Sequence, residues 1–395
     1  MAALRNGLRR GLSAFLLTAA SLLLTGCWDR VEINDMAFAL TSALDKEPDG
    51  SYRVTYMFPL PGQMGGGGGG GGGTGGGTES YYIDSETGPS IRDASSKLQQ
   101  RMSRLLFISH RRTIVVGEEL AKEGISDLFD SVPRMPESRL SAYFIVSKGP
   151  AWKLINAKPK FERFPAETIR ELSKSPGAMN VNAKNVAMAL SFDSDPIIIY
   201  MGEKASEKAS VVSKEIQVLG YAQFKGDKMV GVYEGSATQG LMWLRDEVKS
   251  YSVTLKDPKE QKPIVVQVER GSTNIIPHIK GDDISISIDL DIRAKVRENF
   301  SSLDMNKTAD LHTVESLLSA QVKTSVEQVI AQMQKKSADS AQFGQMIWRH
   351  YPAIWNAKLE DQWDEQFPKV KFTVSAKSGI TEVGLINQNV TKRSR

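Results

Sequence analysis

Residues 284–292 alternate without a miss. Ile284, Ile286, Ile288, Leu290 and Ile292 stand against Ser285, Ser287, Asp289 and Asp291, with Arg293 next. A period of two puts every isoleucine on one side of a pleated strand, so this segment predicts a half-buried antiparallel strand. The period then changes. Leu311, Val314, Leu317, Leu318, Val322, Val326, Val329, Ile330 and Met333 trace one face of a long helix. Lys335 and Lys336 favour the negative end of its dipole. Further strands are expected at 263–269 and 275–279, two short helices about Pro352, and a closing strand at 370–374. A chain holding these segments has few choices: it is α+β, with a C-terminal curved antiparallel sheet packed on a long helix.

The cysteine count narrows the chemistry. Cys27 is the only cysteine in 395 residues, so no intrachain disulfide can form and stability must come from packed cores. A structural zinc site lacks ligands as well, because no two of His110, His278, His312 and His350 stand at ligand spacing. Metal and cofactor are therefore not expected. The position of Cys27 is informative. Arg5, Arg9 and Arg10 precede an uncharged run from Gly11 to Gly26 that contains Phe15-Leu16-Leu17 and Leu22-Leu23-Leu24. This is the pattern of a bacterial export signal. Its 16 residues include Ser13, Thr18, Ser21 and Thr25, too short and polar for a permanent span of about 17–25 apolar residues.

Leu24-Thr25-Gly26-Cys27 reads as a lipobox, in which the thiol accepts a diacylglyceryl group and cleavage falls between Gly26 and Cys27. Two acyl chains anchor stably where one is marginal, at about 0.8 kcal/mol per buried CH₂. No later segment approaches about eighteen apolar residues, so the expectation is an exported, tethered protein. Charge adds little. The net formal charge is +4, three units of it come from the leader arginines, and nothing asks for nucleic acid.

Five parts are expected. Residues 1–26 are the signal peptide. Residues 27–150 form an N-terminal α+β domain, with strands at 36–44, 52–58, 81–83, 112–116 and 140–146 and helices at 90–106 and 118–130, the second broken at Gly124. Twelve glycines in positions 65–77 interrupt this domain as a swollen, disordered loop; such a coil spans roughly 20 Å. No lysine or helix start follows them, so they are no nucleotide fingerprint. Residues 151–213 form a smaller middle domain with helices near 166–172 and 183–189. Residues 214–385 form the C-terminal domain, opened by a hairpin of 216–224 and 229–234 around Lys225-Gly226-Asp227-Lys228. Residues 386–395 are a tail ending in Lys392-Arg393-Ser394-Arg395, read as a frayed terminus.

Catalytic candidates are weak. Asp289 and Asp291 share a face, as paired catalytic carboxylates do, but that face also carries serines and Arg293 and reads as solvated. Asp193 and Asp195 precede Pro196 and read as a turn, since a calcium loop's continuation is missing. His110 beside Arg111-Arg112 reads as a surface or interdomain contact, and His312 as ordinary. Trp348, Trp355, Trp363 and Phe367 read as core packing before ligand binding. No GxSxG elbow occurs. An enzyme is not expected.

Several segments together resemble a family. Gly26-Cys27-Trp28-Asp29-Arg30, running into Glu32-Ile33-Asn34-Asp35, is similar to the start of the mature Ger(x)C spore-germination lipoproteins. So are His110-Arg111-Arg112 before Gly117-Glu118-Glu119-Leu120, Phe224 to Gly231 with Gly240-Leu241-Met242-Trp243-Leu244, and Ala338-Asp339, Phe343-Gly344, Tyr351-Pro352, Trp355, Trp363-Asp364 and Phe367-Pro368. The glycine run departs from the pattern. The resemblance implies the C subunit of a nutrient germinant receptor: a three-domain α+β lipoprotein on the outer face of the spore inner membrane. Its implied partners are two integral-membrane subunits, one similar to amino-acid transporters. It implies no enzymatic activity and a stated role for Cys27 alone, as N-palmitoyl and S-diacylglycerol cysteine. The chain then serves as scaffold or coupling element. The rival expectation is a lipid-anchored solute-binding protein that captures a small nutrient; such proteins usually show two similar lobes with parallel sheets.

Overall fold

The computed structural model describes residues 6–7, 11–15, 18, 32–60, 80–131, 134, 138–208 and 210–384. Gly26 and Cys27, the glycine run 65–77 and the tail 386–395 lie outside the described residues.

From Glu32 the chain forms β1 (Met36–Phe38), β2 (Thr41–Lys46), β3 (Tyr52–Pro59), β4 (Tyr81–Gly88), helix α1 (Ile91–Gln100), β5 (Leu105–Phe107) and β6 (Thr113–Gly117). Then come α2 (Glu118–Glu123), α3 (Ser126–Ser131), β7 (Tyr143–Ser147), α4 (Ala151–Ile155), α5 (Pro165–Ser173), α6 (Ala183–Ser191) and β8 (Ile197–Ala205). A hairpin of β9 (Lys214–Lys225) and β10 (Lys228–Glu234) follows, with Gly226 at φ +55° in its turn. Eight of these strands form one sheet in the order β10-β9-β8-β7-β6-β2-β3-β4, while β1 and β5 pair separately.

The middle of this sheet is parallel: β2 with β6, β6 with β7, and β7 with β8. Antiparallel hairpins flank it on both sides. Strands in such a centre are covered on both faces and become continuous apolar runs. Ile114, Val115 and Val116 in β6, and Phe144, Ile145 and Val146 in β7, are all fully buried. Edge strand β4 is blunted: Arg101, just after α1, and Lys97 of α1 donate to the carbonyls of Ser85 and Thr87, which hinders pairing with another chain.

The remaining chain forms α7 (Ser236–Leu244), β11 (Tyr251–Lys256), β12 (Pro263–Lys280), β13 (Asp283–Asn299), α8 (Thr308–Lys335) and α9 (Phe343–His350). Short helical turns occupy 352–369 before β14 (Lys371–Glu382). The second sheet has the order β11-β12-β13-β14. Irregularities between Val265 and Val266 and between Val268 and Arg270 interrupt the β12–β13 ladder and bend it. The alternating isoleucines of β13 face inward, buried together with Val314, Leu318, Val322 and Val326 of α8.

The α+β architecture and the C-terminal sheet on a long helix are as expected, with three differences. The closing strand runs parallel to β13, because β13, α8 and β14 form a crossover that brings the chain back to the end from which it left. The two strands expected at 263–269 and 275–279 are one, β12. The third concerns boundaries. Residues 151–213 do not make a layer of their own, since β8 sits between β7 and β9, and the 214–234 hairpin extends the large sheet rather than opening the C-terminal one. The backbone groups of β8 are met on one side by β7 and on the other by β9. One sequence expectation also fails locally: Leu105, assigned to the helix at 90–106, belongs to β5.

Helix α8 binds the sheets together. Gln332 Nε2 donates to the Val232 carbonyl of edge strand β10 at 3.0 Å and to Gln223 Oε1 at 3.2 Å. On another face α7 meets α8 so closely that a Cβ on Gly240 would lie 2.2 Å from the Ser325 carbonyl oxygen. Gly240→Ala is therefore expected to cost about 3 kcal/mol or more through forced separation of two packed helices, measured by urea unfolding.

Candidate functional site

The most distinctive chemistry lies where the two sheets meet. Helix α6 ends at Ser191, Asp193 takes a left-handed turn with φ +46°, and Asp195 precedes Pro196, which favours extended backbone. The buried Asp195 carboxylate accepts from the Gly226 N–H in the β9–β10 turn at 2.6 Å and from the Asp339 N–H at 2.6 Å. Lys225 Nζ stands 3.5 Å away and also pairs with Asp364. One carboxylate thus joins the α6–β8 loop, the hairpin tip and the segment after α8.

Asp339 extends this junction. Left-handed residues at Ser337 (φ +49°) and Gln342 (φ +64°) reverse the chain between α8 and α9. The Asp339 carboxylate then accepts from Phe343 N–H at 2.9 Å, Gly344 N–H at 2.7 Å and Trp363 Nε1–H at 3.0 Å. It serves the first turn of α9 as a capping side chain does. Gly344 is required by packing, since a Cβ there would lie 2.8 Å from both the Trp355 ring and Trp363 Nε1. Gln345 Nε2 adds a bond to Ser194 Oγ at 2.9 Å.

Beside the junction opens a cleft of about 650 Å³. Trp355 and Trp363, with ring centroids 5.5 Å apart, form one wall. Asp193, Asp227, Glu360, Asp361 and Asp364 also line it, and Lys225 is the only cation among its lining residues. Burial pushes both junction carboxyls upward in pKa. For Asp339 it outweighs the three donated hydrogen bonds, with the neighbouring Asp195 charge adding to it, and carries the group up to about 6. Asp195 rises for the same first reason, with the Gly226 N–H and Lys225 opposing.

The other sequence candidates stay apart. His110 packs edge-on against Phe38 and near Phe107. His278 lies 3.4 Å from Ser287 Oγ, His312 bonds Glu315 at 2.9 Å, and His350 bonds the Met346 carbonyl. Asp289 accepts from Ser375 and Asp291 pairs with Arg293 at 2.9 Å, on the polar face expected for them. Trp363 and Phe367 are buried, and Trp348 is 44 % exposed. Among the described residues no group of three His, Cys, Asp or Glu is placed to hold a metal, and no helix is long and apolar enough to cross a membrane. The Asp195–Asp339 contact was missed from sequence, where Asp195 reads only as a turn. Its one available signal was an Asp-Pro step ahead of an apolar run.

Two family models match the chain: a spore germination protein N-terminal domain over residues 29–203 and a spore germination B3/GerAC-like C-terminal domain over residues 219–384. The putative spore germination protein YfkR of Bacillus subtilis is 30% identical over 371 residues, covering 94% of this chain and 96% of that protein. The chain belongs to the GerAC-like family of spore germination proteins. Spore germination protein KC of the same organism is 24% identical, covering 97% of this chain and 98% of that protein. The crystal structure of the GerBC protein shares the fold, with a TM-score of 0.57 at 18% identity over 86% of this chain and 96% of that one. The GerAC-like models meet between residues 203 and 219, so the hairpin of the large sheet falls mostly in the C-terminal model.

A pH dependence follows from the junction. Asp339 holds its proton in the folded state to about pH 6, whereas the unfolded chain releases it near the ordinary carboxylate value. Its contribution to stability is complete at low pH and is lost as pH rises through 6. Because carboxyls held low by their partners, such as Asp84 and Glu118, act in the opposite direction, the test is a difference: relative to Asp339→Asn, the unmodified chain is expected to lose on the order of 3 kcal/mol of urea stability between pH 4 and pH 7.

Proposed function

We propose that this chain is the lipid-anchored C subunit of a spore nutrient germinant receptor, a non-enzymatic scaffold that couples integral-membrane subunits to the start of germination. The observation that carries the reading is membership of a spore germination family across nearly the whole chain, together with the Leu24-Thr25-Gly26-Cys27 motif. Cleavage between Gly26 and Cys27 and acylation of Cys27 tether the protein to the outer face of the spore inner membrane. The tether restricts it to a layer beside the membrane and raises its effective concentration for a transporter-like subunit and a companion subunit.

A scaffold needs parts that move as one. Asp195, Asp339 and Gln332 supply cross-links between the large sheet and the C-terminal elements, which favours a coupling role over a flexible string of modules. The solute-binding alternative has one observation on its side, since the cleft of about 650 Å³ is of the size that takes small ligands. Calorimetric titration with amino acids and sugars separates the two: binding at the cleft, abolished by Trp355→Ala, supports capture of the nutrient by this chain.

Two measurements test the proposal. Cys27→Ala is expected to move the protein from the membrane fraction to the soluble fraction and to impair nutrient germination; full germination with soluble, uncleaved protein overturns the anchoring claim. Cross-linking of dormant-spore inner membranes carrying a tagged copy is expected to recover a transporter-like protein and its companion. Recovery of lipid and self alone, with intact protein present, overturns the receptor assignment.

A further inference from the structure

The cleft beside the junction distributes its free chemistry unevenly. Its floor is committed to the chain itself. The Asp339 carboxylate holds three donors, the Trp363 Nε1–H among them, and the Asp195 carboxylate holds the Gly226 and Asp339 N–H groups. Lys225 is shared by Asp195 and Asp364. The rim is different. Asp193, Glu360 and Asp361 line the cleft and are exposed, and among the described residues no hydrogen bond or ion pair engages their side chains. The internal segments outside the described residues, 61–79, 132–133, 135–137 and 209, contain no lysine or arginine, so none of them brings these carboxylates a counter-charge.

Carboxylates on a rim are by themselves a solvated surface. Here they surround an aromatic wall of a cleft of about 650 Å³. Trp355 is half-buried, with its indole 5.5 Å from that of Trp363, and Phe192 stands at the rim 61 % exposed. An aromatic face beside free carboxylates suits a cation on an apolar stem. A guanidinium stacks on an indole and lysine methylenes lie along it, while the charge goes to the acids. The arrangement also separates a free solute from a segment of protein. A small-molecule site orients its ligand with polar groups that converge at depth, and those at depth here serve the chain's own donors. An apolar centre with a polar rim is the anatomy of a protein interface. Asp193 belongs to the loop between α6 and β8, and Glu360 and Asp361 to the turns before β14, so one inserted side chain meets both layers.

We propose that this cleft receives a lysine- or arginine-bearing segment of an integral-membrane subunit, with the basic side chain against Trp355 and its charge among Asp193, Glu360 and Asp361. The inference rests on the receptor reading and adds to it the surface that the partner occupies.

The test replaces Phe192 with the photoreactive p-benzoylphenylalanine in the full-length chain, irradiates dormant-spore inner membranes and maps the product by mass spectrometry. The product is expected to join an integral-membrane subunit at a segment that carries lysine or arginine. Glu360→Lys with Asp361→Lys is expected to lower its yield about tenfold. Glu207→Lys with Glu298→Lys, the same change of charge at exposed positions outside the cleft, is expected to leave the yield unaltered. Asp193→Asn keeps a residue that tolerates the left-handed turn; it is expected to lower the yield about threefold, which keeps the proposal testable if the double variant fails to fold. Products on lipid, on the chain's own tail 386–395 or on a segment without a cation overturn the proposal, and so does a yield indifferent to the charge reversal at Glu360 and Asp361. If bulk cross-linking recovers both membrane subunits while position 192 reaches neither, the cleft assignment fails and the receptor reading stands. If neither method reaches them, both fail. Calorimetric saturation of the purified chain by free L-argininamide at micromolar concentration assigns the cleft to a solute and likewise overturns the proposal.

Discussion

Asp195 accepts two backbone N–H groups that are distant in sequence, one from the tip of the β9–β10 hairpin and one from Asp339. Asp339 in turn caps the first turn of α9 and holds Trp363. The placement of α9, of the Trp355–Trp363 wall and of the cleft depends on this pair. Two carboxyl groups buried side by side are expensive to keep, and the raised pKa of Asp339 expresses that expense. What the pair returns is geometry. It meets main-chain donors that no regular ladder reaches, one at the hairpin tip of the large sheet and one in the segment after α8.

Helix α8 makes the same connection by packing. It covers the isoleucine face of β13, approaches α7 to backbone contact at Gly240, and reaches edge strand β10 through Gln332. The hairpin β9–β10 is thus pinned twice, by Asp195 at its tip and by Gln332 along its edge. An element held from both sides moves with both of its neighbours. The parallel centre of the large sheet, buried on both faces, gives the hairpin a close-packed base.

Much of this was legible residue by residue. The strict alternation of 284–292 marked β13, and the three-and-four spacing from Leu311 to Met333 marked α8, because burial of one face imposes its period on the sequence. Gly124 marked the break between α2 and α3, and Lys225-Gly226-Asp227-Lys228 marked the hairpin turn. The cleft was less visible. Trp355 and Trp363 stand out as a stripe, but Asp193, Lys225 and Asp364 look like ordinary polar residues until they converge. Arg111 looked like part of a surface run, and nothing in His110-Arg111-Arg112 tells which of the two arginines turns inward.

The sequence by itself determined which segments are strands, which are helices and where the tight turns fall, since periodicity and turn chemistry are properties of neighbouring residues. Tertiary structure alone decided which strands pair. It placed β8, β9 and β10 on the large sheet and set β14 parallel to β13. It brought Asp195 to Asp339 across 144 positions and enclosed Arg111 among hydroxyls. The physical reason is that any strand edge can satisfy any other in hydrogen bonding. The choice of partner, and of which polar groups are buried with it, is made by the three-dimensional packing of the whole chain.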